Sequence, residues 1–359
     1  AEMTAPGPDG RITPGCPGLW NDEQEAAWAR IVRWVHAHTD ARIALQLGHA
    51  GPKGSTRRAW DGADLPLPDD GGEPNWPLLS ASDQQYLEGV SHWARAMTLA
   101  DMQRVRDEFV AATRRAARAG FDWLEMHAAH GYLLSAFLSP LTNRRGDAYG
   151  GALDNRLRYP LEVARAMREA WPGHLPMSVR ISAHDWVEGG TTPDDAVQIA
   201  RAFKAVGVDL IDVSSGQVSP KQQPVYGRMY QTPFADRIRQ EAGIATMAVG
   251  AISEADHVNI ISDAGRAGTI LMTEVAKVTE DAFKAKIDFV RTEANAAGRN
   301  PDAITFSSTI FLPMITDSTE KGDEFAAGMG GAFGLTPAQV KRMPMTLIGT
   351  PDECIAELK

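Results

Sequence analysis

The segment Trp123-Leu124-Glu125-Met126-His127-Ala128-Ala129-His130-Gly131-Tyr132 decides how the rest of the sequence is interpreted. Its first four residues are mostly apolar and predict a short buried strand. Polar side chains follow where that strand ends, with His127 and His130 three residues apart and Tyr132 just beyond. In a loop or a first helical turn, both imidazoles can point into one cavity and donate hydrogen bonds to a carbonyl or phenolate oxygen. Tyr132 can deliver a proton to the same place.

The same kind of segment recurs along the chain, because further short apolar runs also end in polar or small residues. These candidate strands are Ile43–Leu47, Met177–Ile181, Leu210–Val213, Thr246–Val249 and Thr269–Met272. Continuous apolar strands are typical of a parallel sheet that is covered on both faces. Between the strands, Asp101–Ala119 and Thr192–Val206 carry helical patterns. Thr192 is placed to cap its helix, and Gly120 and Gly207 follow as stop signals.

This alternation of strand, loop and helix predicts an α/β fold, which we interpret as a (β/α)8 TIM barrel. A doubly wound sheet would show the same alternation. The barrel is favoured because polar residues gather after many different strands, where a barrel places its site. Residues 48–100, rich in Gly, Pro, Asp and Ser, interrupt the pattern. A segment of this length is expected to form a lid over the site, with a disordered insert as the alternative.

Composition restricts the class of protein. The chain has 359 residues, of which 43% are hydrophobic and 23% charged, and its formal net charge is -10. These values suit a soluble enzyme with a small-molecule substrate and argue against a nucleic-acid partner. Two cysteines, Cys16 and Cys354, are too few for a disulfide scaffold or a single-chain iron–sulfur cluster. Since no apolar run is long enough for a membrane span, we expect a cytoplasmic protein without a membrane partner; a homo-oligomer is left open.

A metal site is the alternative explanation for the two histidines. It would need a third ligand with suitable geometry. His49 and Asp185 are the nearest candidates at the ends of predicted strands. We weigh this alternative below the catalytic one and predict that no metal is bound.

The motif around the two histidines resembles the Old Yellow Enzyme family of NADH:flavin oxidoreductases. After His-x-x-His-Gly-Tyr at 127–132, the sequence continues with Asn-x-Arg-x-Asp-x-Tyr-Gly-Gly at 143–151 and then Asn155-Arg156. The resemblance covers about residues 1–272. Within the family it is strongest to the oxidoreductase part of salicylyl-CoA 5-hydroxylase fusions, which the segments Gly10–Gly15 and Val225–Phe234 support. The motif at 143–151 is expected to fix its own loop rather than to touch substrate.

The resemblance implies FMN as the cofactor and NADH or NADPH as the reductant. It implies hydride transfer from the flavin to an activated alkene or enone, an aromatic substrate or an acyl-CoA. The catalytic residues are expected to be Tyr132, His127 and His130: the histidines hold the activating oxygen of the substrate, and Tyr132 protonates the carbon opposite the hydride. The expected FMN contacts are Met3, Gln46, Arg180, Ser215, Gly216 and Gly250, with Ser214 beside them.

Two of these FMN contacts have a chemical reason of their own. An amide such as Gln46 suits the mixed donor and acceptor edge of the flavin pyrimidine ring. A fixed cation such as Arg180 stabilises the anionic reduced flavin, which is how a protein tunes its cofactor. A salt bridge inside the barrel is the alternative explanation for Arg180.

The sequence departs from the family pattern in two places. The family's first strand, and most of its second, are expected before residue 1, so we count only six or seven strands. Near the phosphate site, Thr273-Glu274 stands where the family has a Gly-Arg pair. Losing that charge-assisted contact would weaken phosphate binding about 10- to 100-fold. A non-catalytic barrel with defective flavin binding is therefore an alternative.

Residues 276–359 resemble the C-terminal part of luciferase-like flavin oxidoreductases, through Gly298–Ile304 and Ile348–Glu353. The expected domains are therefore 1–275, an FMN-binding barrel portion, and 276–359, a segment that completes the barrel or is appended to it. The chain is thus interpreted as a chimera of two related barrels, and a luciferase-like flavin monooxygenase is a further alternative. We expect Ala303–Ile310 to form a strand that fills the gap left by the first strand, and Gly328–Gly331 to be flexible.

Overall fold

The computed structural model describes residues 3–58, 61–62, 64–69, 72–252, 257–258, 260–261, 264–270, 287–288, 291–292, 295, 312–333, 336–342 and 346–357. Several sequence predictions concern residues outside this set. They are the end of the last predicted barrel strand at Met272, the pair Thr273-Glu274, and the predicted strand Ala303–Ile310.

Strands and helices alternate through most of the described chain. The strands are β1 Ala44–Leu47, β2 Leu78–Ser80, β3 Ala94–Ala96, β4 Trp123–Ala128, β5 Met177–Ser182, β6 Leu210–Ser214, β7 Ala245–Ala248, β8 Thr269–Ile270, β9 Leu312–Ile315 and β10 Thr346–Gly349. The helices are α1 Asp22–His38, α2 Leu99–Ala119, α3 Leu133–Leu138, α4 Leu153–Ala170, α5 Pro193–Ala205, α6 Thr232–Ala242, α7 Thr319–Phe333, α8 Pro337–Lys341 and α9 Pro351–Glu357. None of these helices combines the length and the apolar character that crossing a bilayer requires.

The main sheet has six strands in the order β1-β4-β5-β6-β7-β8, and every neighbouring pair is parallel. Each of these strands lies within two residues of a predicted strand, so the predicted α/β arrangement is confirmed. Met3 to Ala5 lie beside the outer edge of β1. The Thr4 amide donates to the Gln46 carbonyl at 2.7 Å, and the Gly48 amide donates to the Thr4 carbonyl at 3.1 Å. These residues therefore continue the sheet in the position expected for the end of the family's second strand.

Strand β5 shows how the sheet separates core from site. Val179 and Ile181 are fully buried among the apolar residues of the core. Because side chains alternate across a strand, Ser178, Arg180 and Ser182 point to the opposite face. The same alternation in β1, β4 and β6 lines that face of the sheet with polar groups.

Both predicted helices are present: α5 begins after Thr192 and α2 ends before Gly120 as predicted, whereas α2 begins at Leu99, two residues before the predicted Asp101. The Thr192 side chain and Asp195 form a capping box at the start of α5, and Thr98 with Asp101 forms one at the start of α2. Gly120 ends α2 with a φ of 91°, a left-handed conformation that glycine adopts without strain.

Residues 48–100 contain regular secondary structure, which neither of the two predictions for this segment, a lid or a disordered insert, included. A short 310 helix spans Gly51–Lys53, and β2 and β3 form a parallel pair separate from the main sheet. The strand pair forms between residues that are far apart within the segment. The Gly- and Pro-rich composition of the segment does not predict such pairing.

The C-terminal segment differs from the prediction in one respect. Its described strands β9 and β10 pair with each other in a two-stranded sheet. Residues 328–331 belong to helix α7, so the prediction of a flexible glycine segment is wrong. Each interior glycine costs about 1 kcal/mol relative to alanine, and packing of the buried Ala326 against Val340 and Ile348 offsets part of that cost.

Replacing Thr192 with alanine should destabilise the barrel by about 1 kcal/mol. The substitution removes the hydroxyl that accepts the Asp195 amide at 3.2 Å, which leaves a donor of the first turn of α5 unsatisfied. The midpoint of urea unfolding is the measurement. Thr192→Ser keeps the hydroxyl and should unfold close to the wild-type midpoint; equal losses in both variants would contradict the capping role.

Candidate active site

The register of three parallel strands sets the predicted site residues side by side. His127 on β4 is paired with Arg180 on β5, and Arg180 is paired with Asp212 on β6. Residues paired in this way project to the same face of a sheet. The two histidines and the arginine therefore share one level near the carboxyl ends of the strands, where barrels carry their sites.

His127 and His130 form a hydrogen-bonded pair. His127 Nε2 lies 3.3 Å from His130 Nδ1, and His127 Nδ1 accepts the Ala129 amide at 3.1 Å. Because that Nδ1 is an acceptor, the network assigns the proton of His127 to Nε2, pointing at His130. His130 Nε2 lies 2.7 Å from Ser214 Oγ, so its proton is directed to the serine. Each ring is then a neutral donor through Nε2.

Electrostatics keep both imidazoles uncharged. Burial lowers the pKa of His127 well below its usual value, and the charges of Arg180 and Lys53 lower it further. Burial also holds the pKa of His130 well below its usual value, and Arg180, His127 and Lys53 lower it further. Neutral imidazoles donate hydrogen bonds without adding a positive charge of their own.

Tyr132 is held beside the pair by a tight turn. Its ring meets the ring of His127 edge-on, with centroids 5.0 Å apart. His130 and Gly131 have φ values of 62° and 73°, and a Cβ on residue 131 would lie 2.7 Å from the Gln217 carbonyl oxygen. Glycine is therefore required between the histidine and the tyrosine.

A buried lysine lies next to these rings, and no sequence pattern predicts it. The Lys53 ammonium donates to the His130 carbonyl at 3.2 Å and to the Gln217 carbonyl at 3.4 Å. It lies 4.3 Å from the ring centroid of Tyr86 and 5.3 Å from that of Tyr132. These partners are up to 164 residues away in sequence, so only the folded chain assembles this environment.

Arg180 has a carboxylate partner, as expected from the alternative explanation that it forms a salt bridge. Its Nε lies 3.4 Å from Asp212 Oδ2, which is a salt bridge inside the barrel. The contact does not satisfy either group, because Arg180 Nε and Asp212 Oδ1 are buried without a hydrogen-bond partner in the described part of the chain. Burial raises the pKa of Asp212, and the attraction of Arg180 opposes that rise.

Gln46 lies one residue layer below His127 and Arg180, toward the start of the strands, and its side chain already has a hydrogen-bond partner. Its Nε2 donates to Glu125 Oε1 at 2.8 Å, and Glu125 Oε2 accepts from Ser178 Oγ at 2.7 Å. The expected use of both donor and acceptor of Gln46 toward a flavin is therefore limited by Glu125. Met3 is buried against Gly48, where an added Cβ would lie 2.7 Å from the methionine sulfur and 3.0 Å from His127 Cβ.

Ser215 and Gly250 converge on Gln231, a residue to which the sequence had assigned no role. Ser215 Oγ donates to Gln231 Oε1 at 2.6 Å and accepts from Trp186 Nε1 at 3.0 Å. A Cβ on Gly250 would lie 2.5 Å from Gln231 Nε2, so this backbone tolerates no side chain. Gly216 follows Ser215 with a φ of 72°. The structure thus brings the three expected phosphate-side residues together.

The loop motif behaves as predicted. Asn143 Nδ2 donates to the carbonyls of Phe137 and Tyr149 at 2.8 and 2.7 Å. Arg145 Nη1 donates to the carbonyls of Ala81 and Met97 at 3.1 and 2.7 Å. The motif fixes the loop and joins it to the segment that precedes α2.

The residues considered for a metal have other partners. His49 Nδ1 accepts the Gly51 amide at 3.0 Å, and Asp185 Oδ2 accepts from Ser139 Oγ and the Thr191 amide at 2.6 and 2.7 Å. Among the residues that the structure describes, no three or more His, Cys, Asp or Glu side chains are grouped for a metal ion.

Comparison with known proteins identifies relatives of this arrangement. Residues 1–278 match the NADH:flavin oxidoreductase / NADH oxidase family. The NADPH dehydrogenase of Halalkalibacterium halodurans is 40% identical over 271 residues, which cover 76% of this chain and 73% of that protein. An NADPH dehydrogenase of Geobacillus thermodenitrificans is 41% identical over a stretch of the same length. Morphinone reductase in complex with tetrahydroNAD superposes with a TM-score of 0.59 at 27% identity, over 75% of this chain and 71% of that one.

The low pKa of the two histidines makes stability depend on pH. Below a pH of about 6.5 the unfolded chain protonates these rings while the folded chain does not. The folded state should therefore lose stability as pH falls through that value. Urea midpoints measured at about pH 7.5 and about pH 5.5 report the slope.

Replacing both histidines with glutamine should reduce this slope, since the two buried rings no longer take part; His49, whose pKa burial lowers to about 4, keeps its share of the slope. His174→Gln, at an exposed position, is the matched control and should leave the slope as in the wild type. A double variant with an unaltered slope would show that the histidines are not held neutral.

Proposed function

The chain belongs to the NADH:flavin oxidoreductase / NADH oxidase family, and from that premise we propose that it reduces the double bond of an activated alkene or cyclic enone. It is an oxidoreductase and FMN is its cofactor. NADPH or NADH is the reductant, as the NADPH dehydrogenases that resemble it suggest. The substrate class is our inference from the arrangement of the site.

The residues present fit a bound FMN. Arg180 Nε is buried and has no hydrogen-bond acceptor among the described residues, so an acceptor on the flavin ring would satisfy it. Gln46 keeps its carbonyl oxygen for the pyrimidine edge while its amide nitrogen is held by Glu125. Met3, beside Gly48, would lie against the ring. Ser215, Gly216 and Gly250 would lie on the phosphate side.

The observation that supports the reaction is the neutral histidine pair. Two uncharged imidazoles with protons on Nε2 offer two donors to a carbonyl oxygen, which would replace their present acceptors, His130 Nδ1 at 3.3 Å and Ser214 Oγ at 2.7 Å. Hydrogen bonds to that oxygen polarise the conjugated double bond and stabilise the charge that develops there. His127 and His130 are therefore assigned to binding and activating the substrate.

Tyr132 is assigned to proton delivery. Its ring contacts that of His127, so its hydroxyl is close to a substrate held by the pair. When bound, FMN supplies to one alkene carbon the hydride taken from NAD(P)H. Tyr132 gives its phenolic proton to the other alkene carbon, so that one hydride and one proton saturate the double bond.

Two structural proposals accompany this function. Residues 48–100 act as a lid, since Lys53 and Tyr86 from this segment lie beside Tyr132 and the His130 carbonyl. Residues 276–359 form a second segment, whose strands β9 and β10 pair with each other and whose buried residues make a separate cluster. A more specific version of this proposal is that the substrate is aromatic or an acyl-CoA. It is motivated by residues 225–234, which resemble the oxidoreductase part of salicylyl-CoA 5-hydroxylase fusions.

Purified protein titrated with FMN should become yellow and retain one flavin per chain after gel filtration. NADPH should then bleach the flavin absorbance, and cyclohexenone should restore it without oxygen. A chain that takes up no FMN would contradict the proposed fit and favour the non-catalytic barrel with defective flavin binding. Bleaching without reoxidation by the enone would instead exclude the proposed substrate class.

The roles of the site residues can be separated by substitution. His127→Ala combined with His130→Ala should weaken phenol binding to the FMN-loaded protein about 100-fold, because both donors are removed, while the flavin stays bound. Tyr132→Phe should slow reoxidation by the enone about 100-fold and leave bleaching by NADPH unchanged. Tyr226→Phe, at a residue that is 71% exposed, is the control for loss of a phenol. Loss of flavin from the histidine variant would contradict these roles.

A further inference from the structure

Lys53 is placed rigidly at the site by the turn that precedes it. The 310 helix Gly51–Lys53 follows β1 directly, and Gly51 has a φ of 58°. A Cβ on Gly51 would lie 2.7 Å from the Leu133 backbone, and the Leu133 amide donates to the His49 carbonyl at 3.0 Å. The helix is therefore packed against the start of α3, directly after Tyr132, and the Lys53 side chain is 5% exposed.

The ammonium group of Lys53 is buried without a negative partner in the described chain. Its two hydrogen bonds go to the carbonyls of His130 and Gln217, and an ammonium has three N–H groups. By contrast, Lys321 lies 2.8 Å from Asp317 and Lys341 lies 2.7 Å from Asp323. Burying a cation without a counter-charge is unfavourable, and the faces of two aromatic rings offset only part of that cost.

The neighbouring groups do not supply the missing charge. His127 and His130 are neutral, and Arg180, on the strand beside His127, is a second cation. Tyr86 keeps its proton, because burial raises its pKa to about 12. Asp64 acts on Lys53 only through its field and makes no ion pair with it. Lys53 and Arg180 thus bring two positive charges to the histidine pair in a chain whose net charge is -10.

We propose that Lys53 determines substrate specificity, and that its ammonium group binds a carboxylate or another anionic substituent of the substrate. This inference rests on the proposed function, since it places the activated carbonyl of the same substrate on His127 and His130. The preferred substrates are then enones that carry a negative charge close to the double bond. The charge satisfies the third N–H of Lys53 and holds the substrate beside Tyr132.

Binding to the oxidised, FMN-loaded protein tests this without turnover. The ligands are a cyclohexenone with a ring carboxylate and the isosteric, uncharged carboxamide, each titrated by calorimetry. The wild type should bind the carboxylate about 10-fold more tightly, the usual value of a charge-assisted hydrogen bond. Lys53→Met should bind both ligands with equal affinity.

Lys204→Met is the matched control. Lys204 also donates to two backbone carbonyls, those of Ala242 and Gly243 at 3.3 and 2.6 Å, but on the surface at the end of α5. This variant should keep the 10-fold preference for the carboxylate. If Lys53→Met weakens both ligands equally and keeps their ratio, Lys53 only supports the His130 loop and the proposal is wrong.

If Lys53→Met does not bind FMN, the pH dependence of ligand binding to the wild type provides a second test. Burial lowers the pKa of Lys53 to about 8, so the ammonium is present at neutral pH and is lost as pH rises through that value. The preference for the carboxylate should disappear over the same range, and a preference that persists well above pH 8 would overturn the proposal. If the carboxamide binds and the carboxylate binds no more tightly, the role of Lys53 is refuted but the proposed function is not. If neither ligand binds, the proposed function is refuted as well.

Discussion

The parallel register of β4, β5 and β6 is the constraint on which the site depends. It places His127 beside Arg180 and Arg180 beside Asp212, with every side chain on the same face of the sheet. A shift of one residue in β5 would turn Arg180 into the apolar layer that holds Val179 and Ile181. Hydrophobic burial of that layer therefore fixes the position of the arginine, although the arginine takes no part in the core.

The charge around the histidine pair is set by groups from β5, β6 and the 310 helix Gly51–Lys53. Burial keeps the imidazoles neutral, the charges of Arg180 and Lys53 act in the same direction, and Asp212 compensates part of the charge of Arg180. The compensation is incomplete because two buried polar atoms of that salt bridge have no hydrogen-bond partner in the described chain. A site arranged in this way is preorganised for groups that bring negative charge or acceptor atoms, such as a flavin ring and the oxygen of a carbonyl.

Much of the architecture was predictable because its signals are local. Thr192 begins α5 through hydrogen bonds, and Gly120 ends α2 through its φ value, and both involve neighbouring residues only. The apolar runs that become β4 and β5 are recognisable from composition alone. The prediction failed at residues 328–331, where three glycines lie in a helix together with Met329. Packing around Ala326 supplies the stabilisation there, and it comes from residues later in the chain.

The sequence by itself determined the alternation of strands and helices, the caps, and the spacing that puts His127, His130 and Tyr132 at one strand end. Only the tertiary structure decided which distant groups meet them. Lys53 joins the carbonyls of His130 and Gln217, Asp212 joins Arg180, and Gln231 joins Ser215. Local spacing follows from backbone geometry, whereas the charge and hydrogen bonding of a buried group depend on neighbours that only long-range packing brings into contact.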